Sequence, residues 1–75
     1  MQELVRTIIN GLVTNPELVD IVIDEENGVI NINADKSEIG RIIGKQGRVA
    51  KAIRAIIKSA STKQNKRYNV EINEK

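Results

Sequence analysis

The sequence contains no cysteine and no histidine, and its only aromatic residue is Tyr68. Without thiols and imidazoles the chain cannot build a disulfide framework, a zinc site of the usual kind, or a Cys–His or Ser–His–Asp catalytic group. No apolar run approaches the roughly 20 residues that span a bilayer. Glu3 and Arg6 interrupt the N-terminal segment where a signal peptide is apolar. We therefore expect a cytoplasmic protein with no membrane association, no metal and no cofactor.

Aliphatic residues take the place of the missing aromatics. The 75 residues include 13 isoleucines, seven valines and three leucines. A chain of this length supports one domain and buries only about 60% of its unfolded surface. The hydrophobic content of 40% favours a folded chain over a disordered one. We predict a single domain over residues 1–75.

Charge is distributed unevenly along the chain, although the net charge is only +2. Residues 1–35 hold one basic and seven acidic side chains, whereas residues 36–68 hold ten basic side chains and one acidic. This asymmetry indicates a polyanion-binding face on one part of the domain. On charge alone the alternative stays open, namely that lysine and arginine merely solvate helix surfaces.

The first half of the chain predicts a helix and a β-hairpin. Apolar residues recur at helical spacing over residues 2–14, and Asn15-Pro16 is expected to end that helix. Residues 18–24 and 29–34 alternate between apolar and polar side chains, as half-buried strands do. Asn27-Gly28 lies between them and is a hairpin signal, because both residues tolerate positive φ.

The second half predicts two helices and a last strand. Asp35 and Glu38 resemble a capping box, which predicts a short helix that carries Ile39, Ile42 and Ile43 inward. A second helix from about Arg48 to Ser61 is apolar on one side and basic on the other. Its basic arc consists of Arg48, Lys51, Arg54 and Lys58.

The resulting order is α-β-β-α-α-β, because Tyr68, Val70 and Ile72 alternate with polar residues in a last strand. We predict an α+β fold in which three helices cover one face of a three-stranded sheet. The other face is expected to be exposed. Its outward residues are Asp20, Asn31, Asn33 and Glu71.

A loop between the two predicted helices carries the candidate chemistry. Gly44-Lys45-Gln46-Gly47 follows two isoleucines and directly precedes the basic helix. Glycine lacks a Cβ atom, so a phosphodiester can approach the backbone, and the N-terminus of the next helix attracts phosphate. Lys45 and Arg48 add full positive charges. A Gly-x-x-Gly tetrapeptide alone is weak evidence, since glycines often just end helices.

The longer stretch Ser37–Arg54 resembles the K-homology (KH) domain, an RNA-binding family whose signature is Ile-Ile-Gly-x-x-Gly between two helices. The predicted order resembles the type II topology of KH domains, and the sequence is most similar to the small stand-alone bacterial KH proteins of the KhpA type. Ala50 stands where many KH domains have a larger aliphatic residue, which implies narrower packing under the loop.

The resemblance implies that the loop clamps about four nucleotides of a single strand. The implied groove has a floor of Ile39 and Ile43, assisted by Ile32 on the neighbouring strand. The implied RNA-binding residues are Ile39, Arg41, Ile43, Gly44, Lys45, Gln46, Gly47, Arg48 and Lys51.

The resemblance further implies a single-stranded RNA-binding protein that acts as an RNA chaperone or post-transcriptional regulator. The alternative is a dimerisation or adaptor module that acts mainly through a protein partner in an RNA-binding complex. The resemblance implies a homodimer, or a heterodimer with another KH-domain protein. We do not expect an enzyme, because Gly-Lys-Gln-Gly is not a Walker A loop and a helix cap already explains Asp35 and Glu38.

Overall fold

The computed structural model describes residues 1–75 and confirms the predicted α+β class and element order. The helices are α1 (Gln2–Asn10), α2 (Lys36–Ile43) and α3 (Arg48–Lys63), and the strands are β1 (Val19–Asp24), β2 (Val29–Ala34) and β3 (Asn69–Glu74). Two short 3₁₀ turns, Pro16–Leu18 and Lys45–Gly47, precede β1 and α3. None of the helices is both long enough and apolar enough to cross a membrane.

The three strands form one mixed sheet in the order β1-β2-β3. β1 and β2 are antiparallel, whereas β2 and β3 are parallel, and Ile21, Ile32 and Ile72 lie in one row across the sheet. The N–H groups of Asn69 and Lys75 donate to carbonyls at the two ends of β2, at 2.8 and 2.9 Å. Backbone N–H and C=O groups alternate in direction along a strand. The N–H and C=O groups of Val70 and Ile72 therefore point to the open edge of β3.

The core lies between the helices and one face of the sheet. Its nine residues are Val5, Ile9, Val19, Ile30, Ile32, Ala34, Ile42, Ile53 and Ile57. The opposite face is open, as predicted: Val22 on that face has an exposed fraction of 54%. Asn33 and Asn73 are neighbours there and share a side-chain hydrogen bond of 3.3 Å. The surfaces available for binding therefore include one sheet face, the open edge of β3 and the outer surfaces of the helices.

The hairpin occupies the predicted strands, but its turn differs from the two-residue form. Residues 25–28 connect β1 to β2, and Gly28 has φ +65° whereas Asn27 does not reach positive φ. Asp24 accepts hydrogen bonds from the Asn27 backbone and side chain, at 3.1 and 2.8 Å. These bonds lower the pKa of Asp24 below its ordinary value. The Asp24 carboxylate therefore holds Asn27 in place within the four-residue connection between β1 and β2.

The first helix is shorter than the predicted span of 2–14. It ends at Asn10, and the N–H groups of Leu12 and Val13 both donate to the Ile9 carbonyl, at 2.9 and 3.1 Å. Gly11 follows the last helical residue and is a poor helix former. Pro16 begins a 3₁₀ turn instead of ending the helix.

The predicted capping box is only half present. Asp35 caps α2, and its Oδ2 accepts hydrogen bonds from the Ser37 N–H at 3.0 Å and hydroxyl at 2.7 Å. Glu38 does not return to the Asp35 N–H, which donates to the Leu18 carbonyl at 3.0 Å. The Glu38 side chain is buried and instead accepts from the backbone N–H of Asn15. A tertiary contact has therefore replaced the local one.

Two isoleucines on the apolar faces of α2 and α3 are exposed. Ile43 at the end of α2 and Ile56 in the middle of α3 have exposed fractions of 39% and 47%. The last strand, predicted from the alternation of Tyr68, Val70 and Ile72, extends from Asn69 to Glu74 and does not include Tyr68. The two exposed isoleucines lie on different surfaces, and each has a consequence for binding.

Candidate nucleic-acid interface

The Gly44–Gly47 loop has a backbone that only glycine tolerates at its first position. Gly44 ends α2 with φ +75°, and a Cβ atom there would lie 2.3 Å from the Val49 Cγ2 atom. Gln46 and Gly47 follow with φ of +56° and +74°. A Cβ atom on Gly47 would meet nothing within 4 Å. Gly44 is therefore required by both conformation and space, and Gly47 by conformation alone.

The start of α3 lies beside that loop, and the N–H of its first residue, Arg48, donates to the Lys45 carbonyl. Gly47 is the N-cap residue of α3, and no side chain caps the helix. The first N–H groups of a helix have no partner within the helix, and they carry the positive end of its dipole. Uncapped groups of this kind bind anions. The loop and the helix start therefore form one surface suited to phosphate.

The basic side chains around the loop are not neutralised by acidic ones. Lys45, Arg48 and Lys51 are exposed, and the three ion pairs of the protein involve other residues. Gln46 is exposed between Lys45 and Gly47. No acidic residue occurs between Glu38 and Glu71. These charges remain available to an anionic ligand.

The basic row of α3 lies along the open edge of β3. Its members are Arg48, Lys51, Arg54 and Lys58, all of them exposed. Arg54 Nε donates to the Val70 carbonyl at 3.3 Å. This bond fixes the middle of the row against the strand edge. Arg54 was not among the predicted site residues, because its position on the basic arc did not show which strand it would meet.

The groove floor differs from the predicted one. Ile39 is half-buried and Ile43 is exposed, as a groove wall requires. Ile32 is fully buried, so the prediction that it assists the floor is wrong. The parallel pairing of β2 and β3 makes β2 the central strand and leaves β3 at the edge. The edge strand that contacts both α2 and α3 is β3, and its Val70 and Ile72 are half-buried.

Arg41 lies away from the rest of the predicted site. At about 100° per residue it lies about 160° around α2 from both Ile39 and Ile43. Its Nε is 3.5 Å from Glu38 Oε1, which holds it toward the N-terminal segment. The structure therefore does not bring Arg41 to the groove that Ile39 and Ile43 line.

Ala50, in the first turn of α3, is buried, with an exposed fraction of 6%.

Comparison with known proteins identifies the family to which this chain belongs. The sequence profile described as "KhpA/KhpB, KH domain" matches residues 2–72. The chain belongs to the KhpA/KhpB family of KH domains. Membership confirms the resemblance on which the site residues were assigned, and the α-β-β-α-α-β order of the structure agrees with it.

Relatives of this KH domain match it over nearly their full length. The protein named "RNA-binding protein KhpA" from Clostridium perfringens is 45% identical over 74 residues, which cover 96% of this chain and 99% of the relative. The protein of the same name from Listeria monocytogenes serovar 1/2a is 40% identical, with coverages of 96% and 97%. That of Borreliella burgdorferi is 32% identical over 72 residues, with coverages of 93% and 88%.

Proposed function

We propose that this KH domain binds single-stranded RNA without catalysing a reaction. The observation that carries the proposal is the Gly44–Gly47 loop, where two glycines at positive φ lead into the uncapped start of α3. Unpaired Lys45 and Arg48 surround that point. The relatives that are named RNA-binding proteins support the choice of RNA over other polyanions.

In this proposal the Gly44–Gly47 loop contacts the phosphate backbone of the RNA. A phosphate that enters the loop meets the first N–H groups of α3 and the charges of Lys45 and Arg48. Contacts to phosphate position a strand but do not read its sequence. The bases lie toward Ile39 and Ile43 and the open edge of β3. A KH loop of this kind holds about four nucleotides, so the affinity of one domain is modest.

A modest grip on the backbone suits a protein that handles many transcripts. The proposal therefore extends to an RNA chaperone or post-transcriptional regulator that meets its RNA in the cytoplasm. It needs neither a cofactor nor a metal, because the loop and the basic row supply the groups that contact phosphate.

Salt dependence of binding to a short fluorescent RNA tests the proposal. We expect log K to fall linearly with log[salt], with a slope of about −0.7 for each phosphate contact on a single strand. Duplex RNA of the same sequence should compete weakly, because its bases are stacked and its grooves hide them. Absence of binding at low salt contradicts the proposal. Equal competition by duplex RNA reduces the site to a general polyanion surface.

A second candidate function is association with another KH domain. Its basis is an apolar patch where α1 meets α3, formed by Leu4, Ala55, Ile56 and Ala60. Ile56 is the most exposed isoleucine of the chain, with an exposed fraction of 47%. It lies about 160° around α3 from Arg54. A partner on this patch therefore leaves the groove open.

We propose that a second copy of this chain, or another KH-domain protein, covers the patch. Pairing raises the effective concentration of the second groove once the first is occupied. The small side chain of Ala55 allows close approach of two helices. If association with a protein partner is the main function, the domain is an adaptor in an RNA-binding complex and its own affinity for RNA is secondary.

Substitution of Ile56 tests the association. Ile56→Asp should shift the wild-type dimer to monomer in light scattering and leave the affinity for a short RNA unchanged. A wild-type protein that stays monomeric at high concentration contradicts self-association. Association with another KH-domain protein is then tested by mixing the two proteins, and an unaltered mass contradicts that as well.

A further inference from the structure

A second basic pocket lies at the end of α3 that is remote from the Gly44–Gly47 loop. It encloses about 460 Å³ between the last turns of α3 and the residues that lead into β3. Lys58, Lys66 and Arg67 supply its charges, and Thr62 and Tyr68 contribute to its wall. Nothing in the loop-based proposal uses this pocket.

The pocket continues the groove and is not a separate surface. Lys58 is both the last member of the basic row and part of the pocket wall. Tyr68 and Asn69 line the pocket and directly precede Val70, whose carbonyl accepts from Arg54. From Arg48 to Lys58 the helix rises about 15 Å. A strand that follows the row from the loop therefore arrives at this pocket.

We propose that the pocket binds backbone phosphates of the nucleotides beyond the about four that the loop holds. This inference rests on the proposed function, because the same RNA strand occupies both sites. The ligand is the phosphodiester backbone of single-stranded RNA. The RNA site then runs along α3 from its N-terminus to its C-terminus.

The charges of the pocket favour phosphate in spite of one acidic neighbour. The pocket wall holds three cations, and Glu25 lies beside one of them: its Oε2 is 3.8 Å from Lys66 Nζ and accepts a hydrogen bond from the Tyr68 hydroxyl. The Lys66–Glu25 pair is exposed, so its contribution is small and a phosphate can replace the carboxylate. The three cations and Glu25 together carry a net charge of +2. Glu25 therefore lowers the affinity of the pocket without cancelling it.

The C-terminus of α3 does not repel an anion strongly, although helix ends of this kind are negative. The carbonyl of Ser61 accepts from the N–H groups of Gln64 and Lys66, at 3.0 and 2.9 Å. The carbonyl of Thr62 accepts from Asn65 at 3.0 Å. These carbonyl oxygens are thus paired within the turn, and cationic side chains surround them.

Lys63 provides a matched control for the pocket. It lies about 140° around α3 from Lys58, at the border of the α1–α3 patch, and is not part of the pocket wall. Lys36 is exposed at the start of α2, at the opposite end of that helix from the loop. Lys36→Gln with Lys63→Gln removes the same charge as Lys66→Gln with Arg67→Gln.

The test compares a uridine tetranucleotide with an octanucleotide over a series of salt concentrations. In the wild type, the slope of log K against log[salt] should be steeper for the octanucleotide by about 0.7 for each added phosphate contact. A longer strand also offers more binding registers, but that advantage does not depend on salt. The change in slope therefore reports the second site.

The pocket variant, Lys66→Gln with Arg67→Gln, should lose the added slope and bind the octanucleotide about tenfold more weakly. Its tetranucleotide binding should be unchanged, and the control variant should match the wild type with both strands. Glu25→Gln should tighten the octanucleotide alone, which gives an independent gain that misfolding cannot imitate.

Two results overturn the second site and leave the loop intact. They are equal wild-type slopes for the two strands, and an equal loss of octanucleotide binding in the pocket and control variants. A wild-type protein that binds neither strand overturns the proposed function itself, together with the extension that rests on it.

Discussion

The backbone N–H of Asn15 donates a 2.7 Å hydrogen bond to Oε2 of Glu38, across 23 positions of sequence. The Glu38 side chain has an exposed fraction of 3%, and Arg41 supplies its counter-charge. A buried carboxylate is stable only when such partners satisfy it. The contact attaches the connection between α1 and β1 to α2, the helix that ends in the Gly44–Gly47 loop. Glu38 therefore joins the N-terminal segment to the candidate RNA site.

Removal of that carboxylate should destabilise the domain. Glu38→Ala leaves the Asn15 N–H without its acceptor, and we expect a loss of about 2 kcal/mol in the free energy of unfolding. Glu38→Gln keeps an acceptor oxygen and should cost about half as much. Urea unfolding followed by circular dichroism measures both variants. An alanine variant as stable as the wild type would show that the contact contributes nothing.

Substitution of three glycines by alanine should give three different outcomes. Gly44→Ala places a Cβ atom 2.3 Å from Val49 Cγ2 at a φ of +75°, so we expect a loss of about 3 kcal/mol. Gly47→Ala meets no atom within 4 Å but keeps a φ of +74°, so the loss should be about 1 kcal/mol. Gly40→Ala lies inside α2 with nothing within 4 Å and should stabilise by about 1 kcal/mol.

Thermal unfolding of the three variants checks the order. The prediction is that the midpoint rises for Gly40→Ala, falls slightly for Gly47→Ala and falls furthest for Gly44→Ala. The reverse order for the two loop glycines would mean that Val49 moves aside without cost.

The Asp35 cap should make part of the stability depend on pH. Hydrogen bonds from Ser37 lower the pKa of Asp35 below its ordinary value of 3.8. The contribution of this carboxylate is therefore complete above pH 3.8 and is lost as the pH falls through the lower pKa of the folded state. Asp35→Ala should be less stable than the wild type at neutral pH. The difference should shrink in acid below that window, as urea unfolding at both pH values will show. A constant difference would assign the effect to something other than the charge.

Arg54 should contribute to RNA binding in addition to its contact with β3. Its Nε donates to the Val70 carbonyl, and its other guanidinium nitrogens form no hydrogen bond or ion pair within the protein. We expect Arg54→Gln to reduce the salt slope for a short RNA by about 0.7, the loss of one phosphate contact. Lys36→Gln removes the same charge away from the groove and should leave the slope unchanged. Equal slopes for Arg54→Gln and the wild type would exclude Arg54 from the interface.

Features that depend on neighbouring residues were predicted well from the sequence. The span of β2 was predicted as 29–34 and observed as Val29–Ala34, because the alternation of apolar and polar residues is a local signal. The amphipathic character of α3 was also confirmed, since its apolar and basic arcs follow from helical geometry alone. The positions of the helices and strands relative to one another do not follow from such local signals.

Contacts between distant residues could not be predicted. Glu38 has a capping-box position, yet its partner is Asn15, and nothing in the local pattern distinguishes the two acceptor roles. Ile32 and Ile72 carry the same alternating pattern. Only the parallel pairing of β3 shows that Ile32 is central and Ile72 lies at the open edge. The position of Arg41, by contrast, could have been predicted, because helical geometry alone places it about 160° around α2 from Ile39 and Ile43.

The most direct test of the account is RNA binding by a loop variant beside a matched control. The chain contains two Lys-Gln dipeptides, Lys45-Gln46 in the loop and Lys63-Gln64 at the end of α3. Lys45→Asp with Gln46→Asp and Lys63→Asp with Gln64→Asp make identical changes in composition and charge. Circular dichroism should first show that both variants are folded.

Fluorescence anisotropy of a short single-stranded RNA at two salt concentrations then compares the three proteins. We predict that the loop variant loses affinity by about a hundredfold or more at low salt, because two acidic groups now face the phosphate. With a tetranucleotide, which is too short to reach the pocket at the end of α3, the control variant should retain the wild-type affinity. Wild-type affinity in the loop variant, or equal losses in both variants, would contradict the assignment of RNA to the Gly44–Gly47 loop.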